Sequence, residues 1–227
     1  MSALAPTPTR QRRKEARPQE LLDAALALFV EKGFAATRSE EVAARAGVSK
    51  GTLYLYYPSK EELFKAVVRH NLSTLIAEGA QIAGQFEGST AELLALLLRT
   101  WWERVGSQPA SGIFKIMIAE VRNFPEIAQF YVDEVIIPAH KLLGGAVERG
   151  VGRGEFRKLP IDDVVHALVA PMIFMSLHEH SFGCCPVRGH DYSPESVLTT
   201  QIDLVLKGLE VRPADAPETT PKTPKRR

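Results

Sequence analysis

The chain of 227 residues is 45% apolar and 24% charged, ordinary values for a globular protein long enough to hold two domains. It has no run approaching the roughly eighteen uninterrupted apolar residues of a membrane span. Met1 to Arg17 lack the apolar stretch of a secretory signal, and the two cysteines, adjacent Cys184 and Cys185, cannot form a disulfide framework. A soluble, cytoplasmic protein with reduced thiols is expected. The net charge of +1 divides unevenly, into +4 over residues 1–69, −6 over 70–211 and +3 over 212–227. That pattern suits a nucleic-acid-binding head on a body with another task.

Helical periodicity dominates and no sustained two-residue alternation interrupts it, so an all-α fold is expected. Residues 1–17 form a basic arm. Its Arg10, Arg12, Arg13, Lys14 and Arg17 either follow a phosphate backbone or minor groove, or remain a solvated tail. The first helix starts near Pro18, a residue suited to a first helical position, and stops at Gly33 with Leu22, Leu26 and Phe29 on one stripe. Thr37 and Glu40 have capping-box spacing and open a short second helix that Gly47 closes in the left-handed conformation. Ser49 caps a third helix running to Tyr57, which Pro58 ends. Ser59 and Glu62 repeat the capping spacing, so a long helix is expected from Lys60 to Gln85. Further helices are expected at about 90–106, 112–123, 125–150, 160–182 and 194–209, separated by Pro and Gly breaks. The tail from Arg212 has too little apolar content to fold.

The second and third helices, joined through Gly47, read as a helix-turn-helix in which one helix braces another that enters the major groove. Val42, Ala43, Val48, Leu53 and Tyr57 are spaced to face the first helix. Lys50, Thr52, Tyr54, Leu55 and Tyr56 then face outward, a mixture of hydrogen-bonding groups and flat rings; for the two tyrosines surface packing is the competing reading. Gly51 costs a purely structural helix about 1 kcal/mol relative to Ala and suits close approach of the backbone to DNA.

The run Ala43-Ala44-Arg45-Ala46-Gly47-Val48-Ser49-Lys50-Gly51-Thr52-Leu53-Tyr54, followed by Tyr57-Pro58-Ser59-Lys60-Glu61-Glu62-Leu63, resembles the tetracycline-repressor (TetR) family of bacterial transcriptional regulators. Ala24-Ala25, Leu28-Phe29, Gly33-Phe34 and Thr37 fit the same pattern. The resemblance covers about residues 18–66 and implies a homodimer on a palindromic operator, released by a small molecule bound in the C-terminal domain. It implies base contacts from Lys50, Gly51, Tyr54 and Leu55, and phosphate contacts from Thr37, Thr52, Tyr56 and Lys60, with the N-terminus of the helix capped by Ser49 also attracting a phosphate. Leu55 and Tyr56 stand where an aromatic residue and a histidine are frequent in the family; Leu55 can meet a thymine methyl instead. Glu40 and Glu41 read as caps favoured by the helix dipole.

The expected division is therefore an arm (1–17), a DNA-binding domain (18–66), a helical effector-binding and dimerisation domain (67–210) and a disordered tail (211–227). The body shows no nucleophile–base, phosphate-loop or zinc-spacing motif, and neither an enzyme nor a cofactor is expected. Trp101, Trp102, Phe114, Met117 and Ile118, with Tyr131, Phe174 and Met175, line an apolar effector cavity or fill a core. His166 and His178 are candidates for its polar contacts. In the family the last two helices pair with their symmetry mates; the stripes of Val164, Leu168 and Met172, and of Val197, Ile202 and Val205, suit that dimer or intramolecular packing. Two rival functions remain: a DNA-binding protein whose body only dimerises, and a metal or redox sensor built on His178, His180, Cys184, Cys185 and His190, whose spacing is poor for one ion.

Overall fold

A computed structural model describes residues 10–181 and 193–211. It is all-α, with an isolated Phe156–Glu210 bridge as the one extended pairing among the described residues. The head comprises α1 (Arg10–Lys32), α2 (Ser39–Arg45), α3 (Lys50–Tyr56) and α4 (Lys60–Val68). A π turn at Arg69–Ser73 carries α4 straight into α5 (Thr74–Gln85). The body adds α6 (Thr90–Trp101), α7 (Gly112–Glu120), α8 (Pro125–Tyr131), α9 (Ile137–Gly152), α10 (Ile161–Ser181) and α11 (Pro194–Leu209).

Most boundaries follow the local chemistry. Ser49 and Ser59 accept backbone N–H bonds from Thr52 and Glu62 at 3.1 Å each, and Gly47 closes α2 at φ +67°, where a side chain would be strained. Two expectations need correction. The first helix begins at Arg10 rather than Pro18, which lies inside it; Arg, Gln, Lys, Glu and Ala in residues 10–17 are strong helix formers that outweigh the proline as a start signal. The cap of α2 falls at Arg38, whose N–H donates to the Glu41 carboxylate at 3.2 Å. Thr37 and Glu40 therefore do not form the capping box.

The head closes on a triad of buried rings. Phe29, Phe34 and Phe64 lie 5.2–5.6 Å apart between centroids, contacts worth about 0.5–1.5 kcal/mol each beyond their burial. That core continues into the body: Phe124 packs edge-on to Phe34 at 4.8 Å, and Ile113, Phe114 and Met117 of α7 join the same cluster. A second core unites α6, α9, α10 and α11. Of the described helices, α10 is long and apolar enough by length and composition to cross a membrane. Val164, Leu168, Met172 and Met175 bury one side of it within the protein.

Candidate functional site

The exposed face of α3 carries Lys50, Gly51, Tyr54 and Leu55, with Ser49 just ahead of them. Leu55 is 82% exposed, so its side chain is free to meet a partner. A Cβ on Gly51 would meet nothing nearer than Ser49 Oγ at 3.8 Å, so internal packing does not demand a glycine there. Lys50 pairs with Glu40, lies 5.7 Å from the Tyr54 ring centroid, and by its hydrogen bond holds the Glu40 carboxyl below its usual range. A phosphate at Lys50 therefore competes with Glu40 for its ammonium. Thr52 shares a hydrogen bond with Ser49 Oγ at 2.9 Å, and Tyr56 is half-buried against the head core.

Two residues named for phosphate contact are committed elsewhere. Thr37 is 1% exposed, and its hydroxyl donates toward Gly33 O at 2.7 Å and Leu28 O at 3.2 Å. Lys60 Nζ donates to the carbonyls of Phe34, Ala35 and Thr37 at 2.8, 3.1 and 3.1 Å and sits 4.5 Å from the centre of the Phe34 ring. Both side chains brace the turn between α1 and α2 rather than face outward. Arg38 stays exposed at the start of α2, a contact candidate that its cap position signals and the sequence reading passed over.

The same turn is held from its other side by the body. Glu120, the last residue of α7, accepts hydrogen bonds from Phe34 N and Ala35 N, both at 2.7 Å. Gly33 makes this possible: it adopts φ +83°, and a Cβ there would lie 2.5 Å from Glu120 Oε1. Head and body approach again where Val30 of α1 covers Gly112.

Within the body a cavity of about 400 Å³ lies among α5, α6, α7, α9 and α10. Trp101, Phe114, Met117, Ile118, Tyr131 and His166 line it. Burial among these apolar walls pushes the Tyr131 phenol far above its usual pKa. The other candidates are elsewhere. Trp102 and Met175 are buried in the second core, Phe174 is 64% exposed, and His178 lies outside the lining. The sequence reading missed the wall from the π turn and α5, where Leu72, Leu75, Ile76, Gly79 and Ile82 follow one another at helical spacing. That periodicity was the available signal, and at 1.5 Å rise per residue the stripe runs about 15 Å.

The stripes assigned to a dimer face divide in two. Val164, Leu168, Met172 and Ile202 are buried within the chain and Val205 half-buried, and Gln201 Nε2 ties α11 to α10 by donating to Leu168 O at 2.7 Å. They belong to the core that α10 and α11 form within the chain. Val197 remains exposed, and so do Phe174 and Leu204, which the stripes did not include, at 64% and 65%. Of the histidine–cysteine cluster, His180 Nε2 meets Ser111 Oγ at 2.7 Å, whereas Cys184, Cys185 and His190 lie outside the described residues. Among the described residues no three metal-ligating side chains come together.

Residues 21–67 match the family model for bacterial regulatory proteins of the tetR family, and residues 87–181 match the tetracyclin repressor-like C-terminal domain. The chain is 32% identical over 145 residues to the HTH-type transcriptional repressor KstR2 of Rhodococcus jostii, covering 63% of this chain and 70% of the relative. Its fold is similar to that of the ketosteroid transcriptional regulator KstR2 of Mycobacterium tuberculosis, at TM-score 0.66 and 23% identity over 86% of this chain and 96% of that one. It is also similar to the transcriptional regulator FadR of Bacillus subtilis in complex with stearoyl-CoA, at TM-score 0.61 and 18% identity over 85% and 99%.

Proposed function

The chain belongs to the tetR family of bacterial regulatory proteins and is a DNA-binding transcriptional regulator; from that premise we propose that it is a cytoplasmic repressor that grips a palindromic operator as a homodimer and releases it when a small, largely apolar effector fills the body cavity. The observation that carries this reading is the shared helix. The rod that lines the cavity with Leu72 to Ile82 begins at Lys60, whose ammonium holds the turn bracing the helix-turn-helix. Effector bound against α5 thereby acts on the head, and in a dimer on the spacing of the two α3 helices. Ser49, Lys50, Gly51, Tyr54 and Leu55 form the reading surface in this proposal, with Thr52, Tyr56 and Arg38 beside it. The exposed apolar residues Phe174, Val197 and Leu204 supply the dimer face in this proposal.

The relatives' names support the effector class. One is a ketosteroid regulator and another was solved with stearoyl-CoA, both pointing to long or polycyclic carbon skeletons, and the cavity walls are of matching chemistry. Fluorescence anisotropy of an operator fragment, with a panel of long-chain alcohols, acyl thioesters and steroids, tests the proposal. At least one compound should weaken operator binding at least tenfold; equal affinity with and without every cavity-bound compound contradicts it.

A further inference from the structure

Four polar residues interrupt the apolar cavity lining: Thr100, Tyr131, His140 and His166. The two histidines lie against one residue, Asp162 in the first turn of α10. His166 Nδ1 lies 2.7 Å from Asp162 O. A carbonyl can only accept, so Nδ1 carries the hydrogen, and in a neutral imidazole the remaining ring nitrogen, Nε2, then presents a lone pair. His140 Nε2 lies 3.2 Å from Asp162 Oδ1, within ion-pair distance of the carboxylate. The His166 hydrogen bond uses up the donor of its neutral ring and leaves Nε2 as an acceptor.

Both imidazoles sit at the rim. His166 is exposed and the His140 side chain is 38% exposed, whereas the lining residues Phe114, Met117 and Leu98 are buried. An elongated guest thus has one end placed for a polar group and a body sheathed in hydrocarbon. The donors the lining offers a carboxylate are neutral, the Thr100 and Tyr131 hydroxyls among them, and none of the lining residues is Lys or Arg, so no opposite charge offsets its desolvation.

We propose that the cavity selects a hydroxyl-bearing apolar molecule whose O–H donates to His166 at the mouth while its carbon skeleton runs inward along α5, with the Asp162 carbonyl setting the orientation of His166. This deepens the proposed effector site and rests on it. His166 is the specificity-determining residue: it rejects acceptor-only analogues, because a lone pair facing a lone pair forms no bond.

Calorimetric titration of the full chain at pH 8 with 1-decanol, its isomer 1-methoxynonane and decanoate tests the assignment. The alcohol should bind roughly three- to tenfold tighter than the ether, the effect of one net hydrogen bond, and tighter than the carboxylate. H166F should bring alcohol and ether within about twofold, and H166Q, whose amide oxygen again accepts, should restore part of the preference. Equal binding of alcohol and ether, tighter binding of decanoate, or an undiminished preference in H166F overturns the inference and leaves the effector cavity standing. Binding of none of the three overturns both.

Discussion

Replacing Glu120 by Gln leaves one neutral carbonyl oxygen where a carboxylate holds two backbone N–H groups of the α1–α2 turn at 2.7 Å each. Hydrogen bonds to a charged acceptor contribute about 1.5–3 kcal/mol each. The lower figure applies here, because the Phe34 bond is only part-buried and the Ala35 bond is exposed. The pair is then worth about 3 kcal/mol, and a single amide bond retains about 1, so E120Q should cost about 2 kcal/mol. At about 2–4 °C per kcal/mol for a chain of this size, the thermal midpoint should fall by about 4–8 °C, read by far-UV circular dichroism. E120A should cost at least as much, because it also strands the Phe34 N–H. Since α7 carries Phe114, Met117 and Ile118 in the cavity wall, both variants should also reduce the factor by which effector weakens operator binding. A midpoint within about 1 °C of the parent for both would show that water replaces the carboxylate without cost, and would refute the clamp.

Other residues separate scaffold from surface. K60M loses three carbonyl contacts and should lower the melting temperature while leaving the salt slope of operator binding unchanged; a slope reduced by about one would instead mark a phosphate contact. Y54A and L55A should weaken operator binding at constant melting temperature, because both side chains are exposed; unchanged affinity would remove them from the reading surface. F174E and L204E should shift the sedimentation mass toward monomer without unfolding the chain. L168A, at a fully buried position, should instead cost about 2–5 kcal/mol of stability; a monomeric but equally stable L168A would return that stripe to the dimer face.

The helix ends were legible wherever a side chain satisfies a backbone group locally. Ser49, Ser59 and Gly47 act within three residues of themselves, so spacing alone identifies them. Thr37 was misread because its hydroxyl serves Gly33 and Leu28, partners that only the folded turn brings near, and Lys60 because its carbonyl partners lie 23–26 residues away. The π turns at Arg69–Ser73, Trp102–Gly106 and Val132–Ile136 leave no mark on hydrophobic periodicity, yet Leu72, Val135 and Ile136 within them line the cavity. The α10 stripe looked like a dimer face because a leucine that packs against α11 and one that packs against a partner follow the same pattern. Glu120 was invisible for the same reason as Lys60: its partners lie 85 and 86 residues back in the chain.

Selection of bound sequences from a random DNA pool by the full chain bears most directly on the central claim. The account expects enrichment of a palindrome whose half-sites are centred about one helical turn, or a multiple of it, apart, roughly 34–36 Å, and its loss when Tyr54 and Leu55 are both changed to Ala. Enrichment of a single asymmetric motif, or of none, would contradict a homodimeric operator-binding regulator.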